Sequence, residues 1–127
     1  MSDLEGVLAA FHDATQCDAG VWLQPKTGEA PPALDASTEH APPVTSFPTA
    51  GDGLRTQSTP DGDVIVAAVP GPRRAWLALG PCHTPGVDLH GYMSFLLPVV
   101  AQYLQSALEV EHAANELAER YEEINLL

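Results

Sequence analysis

Residues 54 to 79 read LRTQSTPDGDVIVAAVPGPRRAWLAL, and this stretch contains three short segments separated by two turns. The segments at 63–69 and 74–79 are rich in apolar residues, and together with the segment at 54–58 they predict three strands. Proline and glycine dominate the two connections, which have the length of hairpin turns. We therefore expect antiparallel neighbours. The strand at 63–69 is apolar almost throughout, so we expect it to be central and covered on both faces.

A helix and two further strands are predicted before this stretch. Ser2 and Glu5 form a capping box, and a helix should end near 15–18. Its apolar stripe consists of Leu4, Val7, Leu8 and Phe11. A strand is predicted at 19–24. A weaker strand near 29–34 contains two prolines, which confine it to a sheet edge. Residues 35–52 show no clear period, with room for a short helical turn before Pro42.

A long helix is predicted from about residue 88 to the end of the sequence. Its apolar residues alternate at spacings of four and three, which is the heptad pattern of a coiled coil. This seam consists of Leu96, Val100, Tyr103, Ala107, Val110, Ala114, Leu117, Tyr121 and Ile124. Pro98 lies inside the segment and is expected to kink or restart the helix.

A second apolar stripe adjoins the seam in the first half of this helix. It consists of Met93, Leu97, Leu104 and Leu108. One stripe should cover the sheet and the other should meet a partner. The wide apolar face suits a four-helix bundle, so we expect a homodimer through the N- and C-terminal helices. The alternative is that the whole stripe packs inside one subunit, although a five-stranded sheet is too small to cover residues 109–127.

Composition and charge exclude several classes of function. The chain has 127 residues and a net charge of −12 with five Lys and Arg, which disfavours nucleic-acid binding. No apolar run is long enough to span a bilayer, and no secretory signal is visible, so we expect no membrane partner and a cytoplasmic protein. Cys17 and Cys82 are too few for a disulfide framework, which predicts two reduced thiols.

The order of these elements resembles a GAF domain. The local resemblance is strongest in residues 11–23, FHDATQCDAGVWL, and in the last strands and helix. Residues 117–127, LAERYEEINLL, are similar to the connector that leads into a second GAF domain or an output domain in bacterial signalling proteins. A PAS-like sheet is the nearest alternative.

The GAF resemblance implies an α+β fold with a five- or six-stranded antiparallel sheet. The N- and C-terminal helices would pack on one face, and any pocket would lie on the other. It divides the chain into a sensory domain, 1–108, and a helical signalling linker, 109–127, that continues into an output domain of the same polypeptide. The expected role is a non-catalytic sensory and dimerisation module.

A ligand pocket on the second sheet face is the main alternative function. The candidate residues are Trp22, Phe47, Trp76, Cys82 and His83. The two tryptophans could equally fill the core. Adjacent Cys and His side chains can bind metal or react, but no partner cluster is visible. The cofactor is therefore unknown, with haem, a bilin and a nucleotide as open classes. A reductase of the methionine-sulfoxide type using Cys82 is a third reading. No catalytic residue and no metal ligand are predicted.

Overall fold

The computed structural model describes residues 3–25, 30–48, 53–71, 74–84 and 86–125, without the side chains of 3 and 121–125. Within these ranges the chain forms two helices and five strands. The elements are α1 (Asp3–Thr15), β1 (Cys17–Leu23), β2 (Ala33–Ser37), β3 (Leu54–Thr59), β4 (Gly62–Val69), β5 (Ala75–Cys82) and α2 (Leu89–Asn125). All strand pairs are antiparallel, in the order β2-β1-β5-β4-β3. The predicted α+β class with a five-stranded antiparallel sheet is confirmed.

The strand β5 is longer than predicted and occupies the centre of the sheet. It continues through Gly80 and Pro81 to Cys82, where a loop was expected. Gly80 has a φ of 109°, and an added Cβ would collide with the carbonyl oxygen of Asp63 on β4. Only glycine allows this backbone conformation together with so close an approach. The signals of a loop, glycine and proline, therefore belong here to a strand.

The sheet has two apolar faces, which alternate along each strand as the two-residue period requires. On β4, Ile65, Ala67 and Val69 face the helices, whereas Val64 and Val66 face the opposite side. The expectation that this strand is covered on both faces is confirmed. It is an interior strand next to β5 rather than the middle one.

The two helices pack on the same face of the sheet. Leu4, Leu8 and Phe11 of α1 belong to the same buried cluster as residues of α2. The rings of Phe11 and Tyr92 meet edge to face with centroids 5.3 Å apart. Gln16, with a φ of 59°, takes the left-handed conformation that ends α1. Ser2, the predicted cap, lies outside the described residues.

The helix α2 is continuous through Pro98, so the predicted restart is wrong. Because Pro98 has no N–H, the Ser94 carbonyl lacks its helical hydrogen-bond donor. Both residues are exposed. Water can therefore bond that carbonyl, which makes a proline tolerable at this position. The helix has 37 residues and is about 55 Å long at 1.5 Å per residue.

The irregular insert lies between β2 and β3. The edge strand β2 begins at Ala33, directly after two prolines that have no N–H to donate to the sheet. Residues 35–37 continue this strand and residues 38–48 contain no helix, so the helical turn considered before Pro42 is wrong. The insert instead crosses the sheet face that the helices leave free, because Val44 and Phe47 pack on it.

Candidate functional site

An exposed apolar line follows the second half of α2. Every described side chain from Glu109 to Arg120 is exposed. Val110 is 69% exposed and Leu117 is 67% exposed, although both are large apolar residues. We name Ala107, Val110, Ala114 and Leu117 the stalk seam, since all four are exposed and lie at the predicted heptad positions. Such a line on a helix is characteristic of a surface that meets a partner.

The first part of the predicted dimer interface is used inside the subunit. Leu96 is 3% exposed and Val100 is fully buried, both in the cluster between α2 and the sheet. Tyr103 is half-buried against the same cluster. The assignment of Leu96 and Val100 to a dimer interface is therefore corrected, because their surface is already covered. The side chains of Tyr121 and Ile124 lie outside the described residues.

A groove connects the stalk seam to the globular body. It has a volume of about 410 Å³ and is lined by Leu4, Tyr103, Ala107 and Val110 among others. The groove thus runs from the seam to Leu4 at the start of α1, and Asp35 and Ser106 add polar groups to its lining. A partner lying along the seam would reach the body through this groove.

The predicted aromatic residues of the pocket form one cluster on the insert face. Trp22 and Trp76 are direct cross-strand partners on β1 and β5. The ring of Phe47 lies 5.8 Å from that of Trp22 and 5.2 Å from that of Trp76. The Trp76 Nε1–H donates a hydrogen bond of 2.6 Å to the carbonyl of Pro48. Both tryptophans are buried, so the insert covers this part of the sheet rather than leaving it open.

The side chain of Gln57 on β3 also holds the insert in place. Its Oε1 accepts the Thr45 N–H at 3.0 Å, and its Nε2 donates to the Ser46 carbonyl at 2.7 Å. A half-open pocket of about 460 Å³ remains beside the insert. Phe47, Trp76 and the exposed Arg74 line part of it. Aromatic walls with a cation such as Arg74 suit a small ligand that has an apolar body and a negative group.

The other two predicted pocket residues, Cys82 and His83, lie at the opposite end of β5. Cys82 lies six positions after Trp76 along the strand, which is about 20 Å at 3.3 Å per residue. The structure therefore does not bring Cys82 and His83 together with the aromatic cluster.

The two cysteines form a disulfide, so the prediction of two reduced thiols is wrong. Cys17 and Cys82 are register partners at the ends of β1 and β5, with Cα atoms 4.0 Å apart. Cys17 is fully buried and Cys82 is half-buried. The reductase alternative depends on the Cys82 thiol, which is bonded to Cys17 here.

A group of charged and polar side chains surrounds this end of the sheet. The Asp18 side chain is only 7% exposed and lies between two imidazoles. Its carboxylate oxygens are 3.7 Å from His12 Nδ1 and 3.9 Å from His83 Nε2. We name these three residues the His–Asp cluster. It connects the end of α1, the start of β1 and the end of β5.

Sequence reasoning missed the disulfide and the role of Asp18. The signal was present, because Cys17-Asp18 begins one strand and Cys82, directly before His83, ends its neighbour. Counting back from the Trp22–Trp76 pair would have placed the cysteines near one another. The 65-residue separation hides this relation until the strand order is known.

Among the described residues, no group of three His, Cys, Asp or Glu side chains is arranged to hold a metal ion. No helix within the described ranges is long and apolar enough to cross a membrane. No family profile, no curated protein and no solved structure matches the chain. The resemblance to GAF domains therefore stays a prediction.

Proposed function

We propose that the chain is a non-catalytic sensory and dimerisation module of a bacterial signal-transduction protein. In this proposal α2 pairs with its copy and carries a signal from the sheet to an output domain that follows in the same cytoplasmic polypeptide. The single observation that supports this function is the stalk seam. Its large apolar side chains lie on a helix that projects past the body, where none of the residues that the structure describes covers them.

The seam is long enough to support association, though not strong association. Burying a Val or Leu side chain contributes about 1.5–3 kcal/mol. Val110 and Leu117 are roughly two-thirds exposed, so covering them on two chains contributes about 5 kcal/mol. This is comparable to the lower range of association costs, about 4–15 kcal/mol. We therefore expect a homodimer that forms in a concentration-dependent way. Contacts between the helices beyond Leu117 would make it tighter.

The net charge sets a second property of this dimer. Each chain carries −12, and the stalk is rich in exposed glutamates. Two such stalks repel one another, and added salt screens that repulsion beyond about 10 Å at 0.1 M. Association through the seam should therefore become tighter as the salt concentration rises.

A continuous helix gives a physical route from the body to the stalk. Met93, Leu96 and Val100 anchor the first half of α2 in the core. The second half belongs to the same uninterrupted helix. A shift or rotation of the anchored half is therefore carried along the axis to the stalk seam. The apolar stripe of α1 is buried in the subunit, so α1 could join the interface mainly through small exposed residues such as Ala9 and Ala10.

Charge substitutions on the seam test the proposed dimer. The double variant Val110→Asp/Leu117→Asp should be monomeric in light scattering, because unpaired buried charges cost several kcal/mol each. The matched control His112→Asp/Asn115→Asp adds the same charges at exposed heptad positions away from the seam. It should retain the mass of the unmodified chain. An unchanged dimer in the seam variant would show that the interface lies elsewhere.

A ligand sensor is the second candidate function, supported by the pocket beside Phe47 and Trp76. Haem, a bilin or a nucleotide would be the cofactor class. The absorbance spectrum of the protein purified from its native host tests this alternative. A band in the visible range would indicate haem or a bilin, and a peak near 260 nm that is lost on denaturation and filtration would indicate a nucleotide. A spectrum of protein alone would leave the dimerisation module as the better account.

A further inference from the structure

The Cys17–Cys82 disulfide lies where both helices join the sheet. A single residue, Gln16, separates Cys17 from the end of α1. Cys82 ends β5, and the loop that follows leads directly into α2. The bond therefore connects the chain segments from which α1 and α2 extend. No other disulfide can form within this chain, because it has only two cysteines. The chain therefore has two redox states, with this bond closed or open, and no alternative disulfide pairing.

Contacts other than the disulfide also hold this region together. The His83 N–H donates to the Gln16 carbonyl at 3.1 Å, and Asp18 lies beside both histidines of the His–Asp cluster. Phe11 and Tyr92 form an edge-to-face contact between the helices. The β1–β5 ladder continues as far as Leu23 and Ala75. Opening the bond should therefore loosen the root of the helices without unfolding the sheet.

The two cysteine residues differ in their exposure to solvent. Cys82 is half-buried beside His83, whose side chain is 59% exposed. Cys17 is fully buried among apolar residues. A thiolate from solvent can approach the bond at Cys82, whereas Cys17 is shielded. The geometry thus defines one attacked sulfur and one leaving sulfur.

We propose that Cys17–Cys82 is a thiol–disulfide exchange site for a dithiol reductant, and that its redox state is the signal that α1 and α2 pass to the stalk. The first thiolate of the dithiol attacks Cys82 Sγ, forms a mixed disulfide and releases Cys17 as a thiolate, which takes up a proton. The second thiolate of the reductant then attacks the first sulfur of the same reductant in the mixed disulfide and releases Cys82. The protein gains two electrons and two protons, and the dithiol becomes a disulfide. The claim that the redox state is the signal rests on the proposed function.

Reduction of the folded protein is the direct test. The full chain is incubated with dithiothreitol without denaturant, alkylated and weighed by mass spectrometry, while circular dichroism follows the fold. We expect both thiols to become alkylated with the circular dichroism spectrum retained. We also expect hydrogen exchange to accelerate about tenfold or more in residues 12–18 and 83–92, while β3 and β4 change by less than about twofold. The variant Cys17→Ala/Cys82→Ser should show the fast exchange in either buffer.

Two results would overturn this inference. One is a bond that dithiothreitol reduces only at denaturant concentrations where the sheet unfolds. The other is reduction that leaves exchange at the helix roots unchanged. Light scattering in both redox states separates this inference from the proposed dimer. A chain that is monomeric in both states, yet shows the exchange change, refutes the dimer alone. A seam-dependent dimer whose bond cannot be reduced in the folded state refutes the exchange site alone.

Discussion

Opening the bond between Cys17 and Cys82 is expected to lower the free energy of unfolding by about 4 kcal/mol. The bond closes a loop of 65 residues' separation. In the chain-entropy description, a loop of this size removes about 14 to 15 cal/mol/K from the unfolded ensemble, which is about 4 kcal/mol at 25 °C. A single domain is typically stable by about 5–15 kcal/mol, so the reduced chain should stay folded at this temperature.

Urea unfolding of the same protein in its two redox states measures this difference. The oxidised and reduced samples share every residue, so the difference isolates the bond. The variant Cys17→Ala/Cys82→Ser should match the reduced sample, since alanine suits the apolar site of Cys17 and serine suits the half-buried Cys82. For 127 residues, about 4 kcal/mol corresponds to a fall in melting temperature of roughly 15 °C. A difference below about 1 kcal/mol would refute the pairing or the entropic argument.

Two further predictions concern the insert and the centre of the sheet. Phe47→Ala should destabilise the fold by about 2–4 kcal/mol and shift tryptophan emission to the red, because Phe47 packs on both tryptophans. The control is Phe95→Ala, at a residue that is 67% exposed. It should change the free energy of unfolding by less than about 0.5 kcal/mol. Equal effects of the two variants in urea unfolding would contradict the placement of the insert. Gly80→Ala should lower the stability of the fold more than Gly53→Ala. Both glycines have a positive φ, but only Gly80 lies against the Asp63 carbonyl. Equal losses of stability in thermal unfolding would show that the backbone conformation alone, and not the contact with Asp63, determines the effect.

Most of the fold was predictable from the sequence because the spacing of apolar residues within each segment indicates its secondary structure. The apolar run at 63–69 and its flanking turns indicated an interior antiparallel strand, and the heptad spacing indicated one long helix. The end of β5 was missed, because Gly80 and Pro81 are turn residues by local chemistry. Their place in a strand depends on the neighbouring strand β4, which no local window contains.

The candidate site was only partly predictable for a related reason. Trp22, Phe47 and Trp76 come together as expected, since two are cross-strand partners and the third is the aromatic residue of the insert. Which part of the heptad seam stays exposed depends on the size of the sheet, and the sequence period continues unchanged across that boundary. The disulfide depends on the register between β1 and β5, which is a long-range property.

The solution mass of the unmodified chain tests the central claim most directly. Sedimentation equilibrium over a series of protein and salt concentrations should give a mass that rises toward twice the 13.4 kDa of one chain, with tighter association at higher salt. A mass of one chain at every concentration would contradict the account, because the stalk seam would then remain uncovered in isolation.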